Sequence, residues 1–196
     1  VQAGRADSLL KFSQKYLSNV NRHLDIGCSA GKLLFAFRES YGCQAVGVEP
    51  GDAYRNYATR SGFKVFSTLQ DVIEAGEPRF DLVSLAHVLE HLPDPITYLV
   101  DLRQQVLADQ GWLLVEVPNL YMHDSFEVAH LFSFSAHTLR QVLQRADAAA
   151  RDHRHGHRAR DRPRELEVES RLGAVAVHAR EEDLAGAQGR HPRRPL

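Results

Sequence analysis

Three groups of residues in this sequence have types and spacings suited to chemistry. The first is the turn Asp25-Ile26-Gly27-Cys28-Ser29-Ala30-Gly31. Glycines at 27 and 31 let the backbone bend sharply and let a ligand come close. A helix starting behind such a turn offers unpaired N–H groups to a polar or anionic group. Alone, the pattern serves a purely structural strand-to-helix turn equally well. The second group is Glu49, 18 residues past Gly31 at the end of the run Ala45-Val46-Gly47-Val48. A carboxylate there can accept hydrogen bonds from both hydroxyls of a ribose. Turn and acid together indicate an adenosine-bearing cofactor. NAD proteins favour G-x-G-x-x-G, whereas the middle position here is Ser29. No phosphate-binding lysine-serine pair follows, which argues against an ATP-type loop.

The third group is the histidines. His87-Val88-Leu89-Glu90-His91 matches H-x-x-E-H, a zinc-peptidase pattern. That chemistry needs a helix holding both imidazoles on one face, and Pro93 and Pro95 deny a continuing helix. Glu90 and His91 are therefore expected to shape the loop beside the cofactor, with His91 packing or hydrogen-bonding to backbone. No metal ligand is assigned. Imidazole has the ordinary pKa for proton removal near neutral pH, so His91 and His130 are the candidate general bases.

These residues need a scaffold, and the first 146 residues supply the pattern of one. Leu9, Leu10, Phe12, Tyr16 and Leu17 suit an amphipathic opening helix. Strands are predicted near His23–Ile26, Ala45–Glu49, Gly62–Phe66, Phe80–Leu85 and Trp112–Val117. Helices are predicted at Gly31–Tyr41, from an Asp52 N-cap to Arg60, at Leu69–Ala75, Ile96–Leu107 and Ser135–Ala146. Alternation of this kind implies an α/β fold, a Rossmann-like doubly wound, mostly parallel sheet with helices on both faces.

Composition bounds the rest. With 196 residues, 43% apolar content and 25% charge, the chain suits one domain with a real core. A net charge of −1 gives no reason to expect nucleic-acid or membrane-surface binding. No apolar run approaches a membrane span, and the start lacks the pattern of a secretory signal. Two cysteines without metal spacing make a reducing, cytoplasmic compartment the expectation. The start lacks a methionine, as a fragment or trimmed chain would. Residues 147–196 differ from the domain of residues 1–146. They are rich in Arg, Ala, His, Glu and Gly, and no aromatic residue follows Phe134. Composition of this kind reads as disordered, or as a segment translated out of frame, which would leave the C-terminal strands missing or aberrant. Against that stands the period-two alternation of Glu165–Arg180, a hairpin around Leu172-Gly173 whose halves ELEVES and AVAVHAR would be the last two strands.

The segments LDIGCSAGKLL, VGVEP, FDLVSLAHVLEHLPDP and GWLLVEVPN, in that order and spacing, resemble class I S-adenosylmethionine-dependent methyltransferases. The resemblance covers roughly Leu17 to Ala146 and is nearest to ubiquinone-pathway O-methyltransferases and small-molecule methyltransferases of sugar and natural-product clusters. It implies S-adenosylmethionine as cofactor, with Asp25, Gly27, Ser29 and Gly31 around its methionine part and Glu49 on the ribose. Thr68, Leu69, Ala86 and His87 would flank the adenine and the sulfonium. The family usually has Gly where Ser29 stands. The implied acceptor is a small molecule presenting an oxygen, with Tyr121, Met122, His123 and Phe126 on its pocket wall. The rival expectations are an NAD-dependent oxidoreductase, a cofactor-binding protein without catalysis and, for Glu90, His91 and His130, a metal cluster similar to that of small-RNA 2′-O-methyltransferases, against which His87 stands where that cluster has its first glutamate. Oligomeric state is not assigned.

Overall fold

Residues 2–122, 127–154, 166–169 and 174–178 are described by a computed structural model. Helix α1 (Gln2–Ser13) leads into β1 (Arg22–Ile26), α2 (Lys32–Tyr41), β2 (Gln44–Val48), α3 (Asp52–Arg60), β3 (Lys64–Phe66), α4 (Leu69–Glu74) and β4 (Phe80–Ala86). A 3-10 turn at Leu89–His91, helix α5 (Pro95–Asp101) and a π-helical turn at Leu102–Val106 connect to β5 (Leu107–Glu116). Helix α6 (Ala136–Arg154) and strands β6 (Leu166–Glu169) and β7 (Ala174–His178) complete the order.

The seven strands lie in the order β3-β2-β1-β4-β5-β7-β6. The first five pair in parallel, and β7 runs antiparallel to both β5 and β6. The order reverses between β1 and β4, and the carboxyl edge at that reversal is where such sheets bind ligands. This is the Rossmann-like α/β sheet expected from the sequence.

Several boundaries differ, each for a local reason. Helix α1 spans Gln2–Ser13, so Tyr16 and Leu17 fall in the connection to β1. Gly51 is the N-cap of α3 with no side-chain bond, and Asp52 is its first residue, where it pairs with Arg55 instead of capping. Strand β5 begins at Leu107, five residues before Trp112, with an irregular register where Phe80 and Leu82 meet it. Helix α6 continues past Ala146 to Arg154. In the last part of the chain, Trp112 to Glu116 pair with His178 to Ala174, so β7 covers the edge of β5. The alternating segments thus form the last two strands, and the turn at Leu172-Gly173 lies outside the described residues.

The sheet separates two apolar layers, and residue parity along each strand decides which layer a side chain joins. Leu24, Ile26, Val46, Val48, Val83, Leu85 and Val115 face α4, α5 and α6, meeting Val72, Leu99, Leu102, Leu139 and Leu143. Leu82 and Leu114 face α1 and α2, meeting Leu9, Phe12, Leu33, Leu34 and Phe37. The same parity turns His23, Asp25, Ser84 and Glu116 toward α1 and α2, and all four are buried.

Candidate cofactor site and acceptor edge

Register explains why distant residues meet at one edge. Ile26 of β1 lies between Val48 of β2 and Leu85 of β4. The next residues, Gly27, Glu49 and Ala86, the last of β4, therefore come side by side at that edge. Gly27 N–H and Cys28 N–H donate to the Val48 carbonyl at 2.8 and 3.0 Å, folding the turn over β2. Gly27 and Gly31 both have left-handed backbones, φ 73° and 75°. A Cβ at Gly27 would come within 2.5 Å of Val88 Cγ2, so the turn needs glycine there for space as well as for conformation. Ser29 also has a left-handed backbone, φ 48°. Its N–H donates to Glu49 Oε2 at 2.8 Å, while Gly51 N–H donates to Glu49 Oε1 at 2.8 Å. Glu49 thus ties the turn to the end of β2, and a carboxylate has lone pairs left for further donors.

Behind the turn runs a buried polar chain. Ser84 Oγ donates to Asp25 Oδ1 at 2.6 Å, and His23 Nε2 lies 2.8 Å from the same Ser84 Oγ. Because the Ser84 proton points at Asp25, His23 donates through Nε2, leaving Nδ1 without a hydrogen-bond partner. Burial pushes the Asp25 carboxyl up to about 7, with the Ser84 bond opposing and the Glu49 charge adding to the rise. Burial pulls the His23 imidazole down to about 3.

Thr68 and Leu69 sit where β3 gives way to α4. Thr68 caps that helix reciprocally with Asp71, and Leu69 packs against the core. Glu49 N–H donates to the Phe66 carbonyl at 2.9 Å, which holds this corner against the end of β2.

A second cluster occupies the carboxyl ends of β4 and β5. Ala86 pairs with Glu116, and His87 N–H donates to the Glu116 carbonyl at 2.9 Å. His87 has φ 57°, an uncommon conformation for a residue with a side chain. Its Nδ1 lies 3.5 Å from Glu90 Oε1 and its Nε2 3.8 Å from Glu116 Oε2. Arg5 Nε of α1 approaches Glu116 Oε2 at 3.6 Å. Burial raises both carboxyls, that of Glu116 to about 7. The sequence reading missed Glu116, Arg5, His23 and Ser84. The parity of GWLLVEV, which turns Glu116 inward with Leu114, was the available signal for the first.

His91 and His130, 39 positions apart, stand with ring centroids 4.8 Å apart. Leu131 N–H and Phe132 N–H donate to the Glu90 carbonyl at 2.8 and 3.2 Å, and these bonds pull the loop after β5 onto the 3-10 turn. His91 Nδ1 donates to the Ala129 carbonyl at 2.9 Å, the backbone bond expected of it. The proline-bounded 3-10 turn spans only Leu89–His91, too short to present H-x-x-E-H as a helical face. Tyr121 is 80% exposed. The Met122 side chain, His123 and Phe126 lie outside the described residues.

The family described as "Methyltransferase domain" matches residues 2–168. The chain belongs to this family. Among curated proteins, the chain is 36% identical over 97 residues to a ubiquinone biosynthesis O-methyltransferase of Ruegeria sp. (strain TM1040), covering 46% of this chain and 38% of the relative. The chain thus spans less than half the length of that relative. Among solved structures, its fold matches that of the sugar N-methyltransferase KedS8 of Streptoalloteichus sp. ATCC 53650, with TM-score 0.65 and 16% identity over 90% of this chain and 87% of that one. A SAM-dependent methyltransferase of Aquifex aeolicus matches with TM-score 0.61 and 15% identity, over 90% and 96% of the two chains. These likenesses establish the class I methyltransferase fold. Asp25, Gly27, Ser29, Gly31, Glu49, Ala86 and His87 lie along one edge of that fold, at the ends of β1, β2 and β4.

Proposed function

We propose that this methyltransferase moves a methyl group from S-adenosylmethionine to an oxygen of a small-molecule acceptor. The observation that carries the reading is the joining of turn and acid: Ser29 N–H and Gly51 N–H both bind Glu49 at the reversal point of the sheet. In this reading Glu49 also receives the ribose hydroxyls, and Asp25 with the glycine turn faces the methionine part. Oxygen is preferred over nitrogen because the curated relatives of 33–37% identity are O-methyltransferases by name. The two free, buried thiols Cys28 and Cys43 support a reducing, cytoplasmic setting. Among the described residues no helix is long and apolar enough to cross a membrane.

The chemistry asks little of the protein beyond placement. The acceptor oxygen attacks the methyl carbon in line with the sulfur, and the S–C electron pair stays on sulfur as the thioether leaves. Holding the two partners in line is the main catalytic contribution. A hydroxyl acceptor must also lose a proton, and the paired imidazoles of His91 and His130 are the candidate acceptors for it.

Calorimetry with S-adenosylmethionine, S-adenosylhomocysteine and NAD tests the cofactor. The expected result is binding of the first two and none of NAD; NAD binding alone overturns the reading. The Glu49→Ala substitution is expected to weaken S-adenosylhomocysteine binding by about 1–3 kcal/mol through loss of a charged acceptor. Unchanged affinity would remove Glu49 from the cofactor site.

A further inference from the structure

Asp25 of β1 lies opposite Ser84 of β4, and His23 stands two residues before Asp25 on the same face. All three are buried, His23 and Ser84 to 0% exposure. Their surroundings on that side are apolar: Leu34, Phe37, Leu82 and Leu114. The His23 ring lies against Phe37, with centroids 4.6 Å apart. A buried imidazole whose Nδ1 has no hydrogen-bond partner costs stability, and apolar side chains would fill the same strip without that cost. What the arrangement supplies is direction. His23 donates to Ser84 Oγ at 2.8 Å, so the Ser84 proton goes to Asp25 Oδ1, 2.6 Å away. That bond takes one carboxylate oxygen and leaves Oδ2 for a second donor.

We propose that Ser84, held by His23, is a positioning residue for the cofactor: it turns the Asp25 carboxylate so that Oδ2 receives the ammonium group of the cofactor's methionine part. The proposal rests on the methyl-transfer reading, in which Asp25 faces that part of the cofactor.

The arrangement links cofactor binding to pH. In the free protein Asp25 carries its proton below about pH 7, because burial raises it and the Glu49 charge adds to the rise. An ammonium group favours the carboxylate, so binding expels that proton. Affinity therefore climbs as pH rises toward 7, by at most about tenfold per unit, and levels off above it. The Ser84 bond opposes the rise of Asp25, so its loss moves the midpoint upward. The other charged and titratable groups around Asp25 stay constant in this range or are turned elsewhere. His23, lowered to about 3, remains neutral. The Cys28 thiol of the glycine turn is pushed far up by burial and keeps its proton. Glu49 is held by the Ser29 and Gly51 N–H groups. Arg5 of α1 and His87 after β4 lie against Glu116 and Glu90, and Lys32 of α2 is exposed.

The test is calorimetry on the full chain with two ligands, S-adenosylhomocysteine and 5′-methylthioadenosine. The second has the same adenosine and thioether but neither ammonium nor carboxylate. At about pH 6 the first should release close to one proton per chain, read from the dependence of binding heat on the ionisation heat of the buffer, and the second should release none. Ser84→Ala should weaken S-adenosylhomocysteine binding at least threefold near pH 5.5, about half a unit of midpoint shift, and the loss should shrink steadily toward about pH 8.5. Loss of charge on the ligand's own amino group, near pH 8, affects parent and variant alike and cancels in their ratio. Ser84→Cys, close in size but a weaker donor, should move the profile the same way by less, and it serves where the alanine variant does not fold. Methylthioadenosine affinity should stay the same in both variants. A loss of equal size at every pH, or the same proton release with both ligands, overturns the proposal while leaving the cofactor reading in place. Binding of neither ligand to the parent chain sinks the cofactor reading, and this proposal with it.

Discussion

At the residue scale the glycine turn holds an internal tension. The family commonly has glycine where Ser29 stands, and Ser29 takes the same left-handed conformation with a side chain attached, φ 48°. A non-glycine residue there costs about 1–2 kcal/mol, of which glycine's extra unfolded-state freedom returns about half. Ser29→Gly is therefore expected to stabilise the chain by about 0.5–1 kcal/mol, read as a rise in thermal midpoint. An unchanged or lower midpoint would mean that the serine side chain contributes more than its strain costs. Gly27→Ala goes the other way. Its Cβ would meet Val88 Cγ2 at 2.5 Å on a backbone with φ 73°, so a loss of about 2–4 kcal/mol is expected in denaturant unfolding. The turn was legible in the sequence because glycine spacing maps directly onto backbone conformation. Glu116 and Ser84 were not, because a lone polar residue inside an apolar strand looks the same whether it faces a packed helix or the solvent.

At the element scale the strand-helix alternation was legible through period and breakers, and the mostly parallel sheet followed from it. The exceptions came where tertiary pairing extended an element beyond its local signal. Strand β5 runs back through Ala108-Asp109-Gln110-Gly111, a stretch with no strand propensity of its own. Helix α6 runs on through an alanine-rich stretch to Arg154. The last two strands were readable only as a weak alternation, because their residues are those of a polar tail. Their pairing has a consequence for the sheet. Trp112 to Glu116 lie between β4 and β7, so removing β7 leaves that stretch of strand unpaired on one side. A chain ended after Arg154 is expected to keep its helical signal by circular dichroism but to self-associate, since an exposed edge strand templates further pairing. Light scattering at matched concentrations checks this. A truncated chain that stays as monodisperse as the full one would show that β6 and β7 do not protect the edge.

At the scale of the whole molecule, the buried His23-Ser84-Asp25 chain couples stability to pH in two opposing ways. Asp25 is raised to about 7 in the folded protein. Below about pH 4 both folded and unfolded forms carry its proton, and its contribution is fully present. As pH rises toward 7 the unfolded form ionises first, so stability falls across that window by up to about 1.4 kcal/mol per pH unit. His23 is lowered to about 3. Between about pH 6.5 and 3 only the unfolded form takes its proton, so stability falls as pH falls, with the same limiting slope. Across pH 4 to 6.5 the two slopes cancel, and the intact pair leaves the protein nearly insensitive to pH there. Asp25→Asn keeps an oxygen for the Ser84 hydroxyl while removing one of the two slopes. Its stability relative to the parent should therefore climb steadily from pH 4 to pH 7, measured as the difference in urea unfolding free energy at each pH. A difference that stays constant over that range would mean that Asp25 is already ionised beneath the glycine turn, held by a partner other than Ser84.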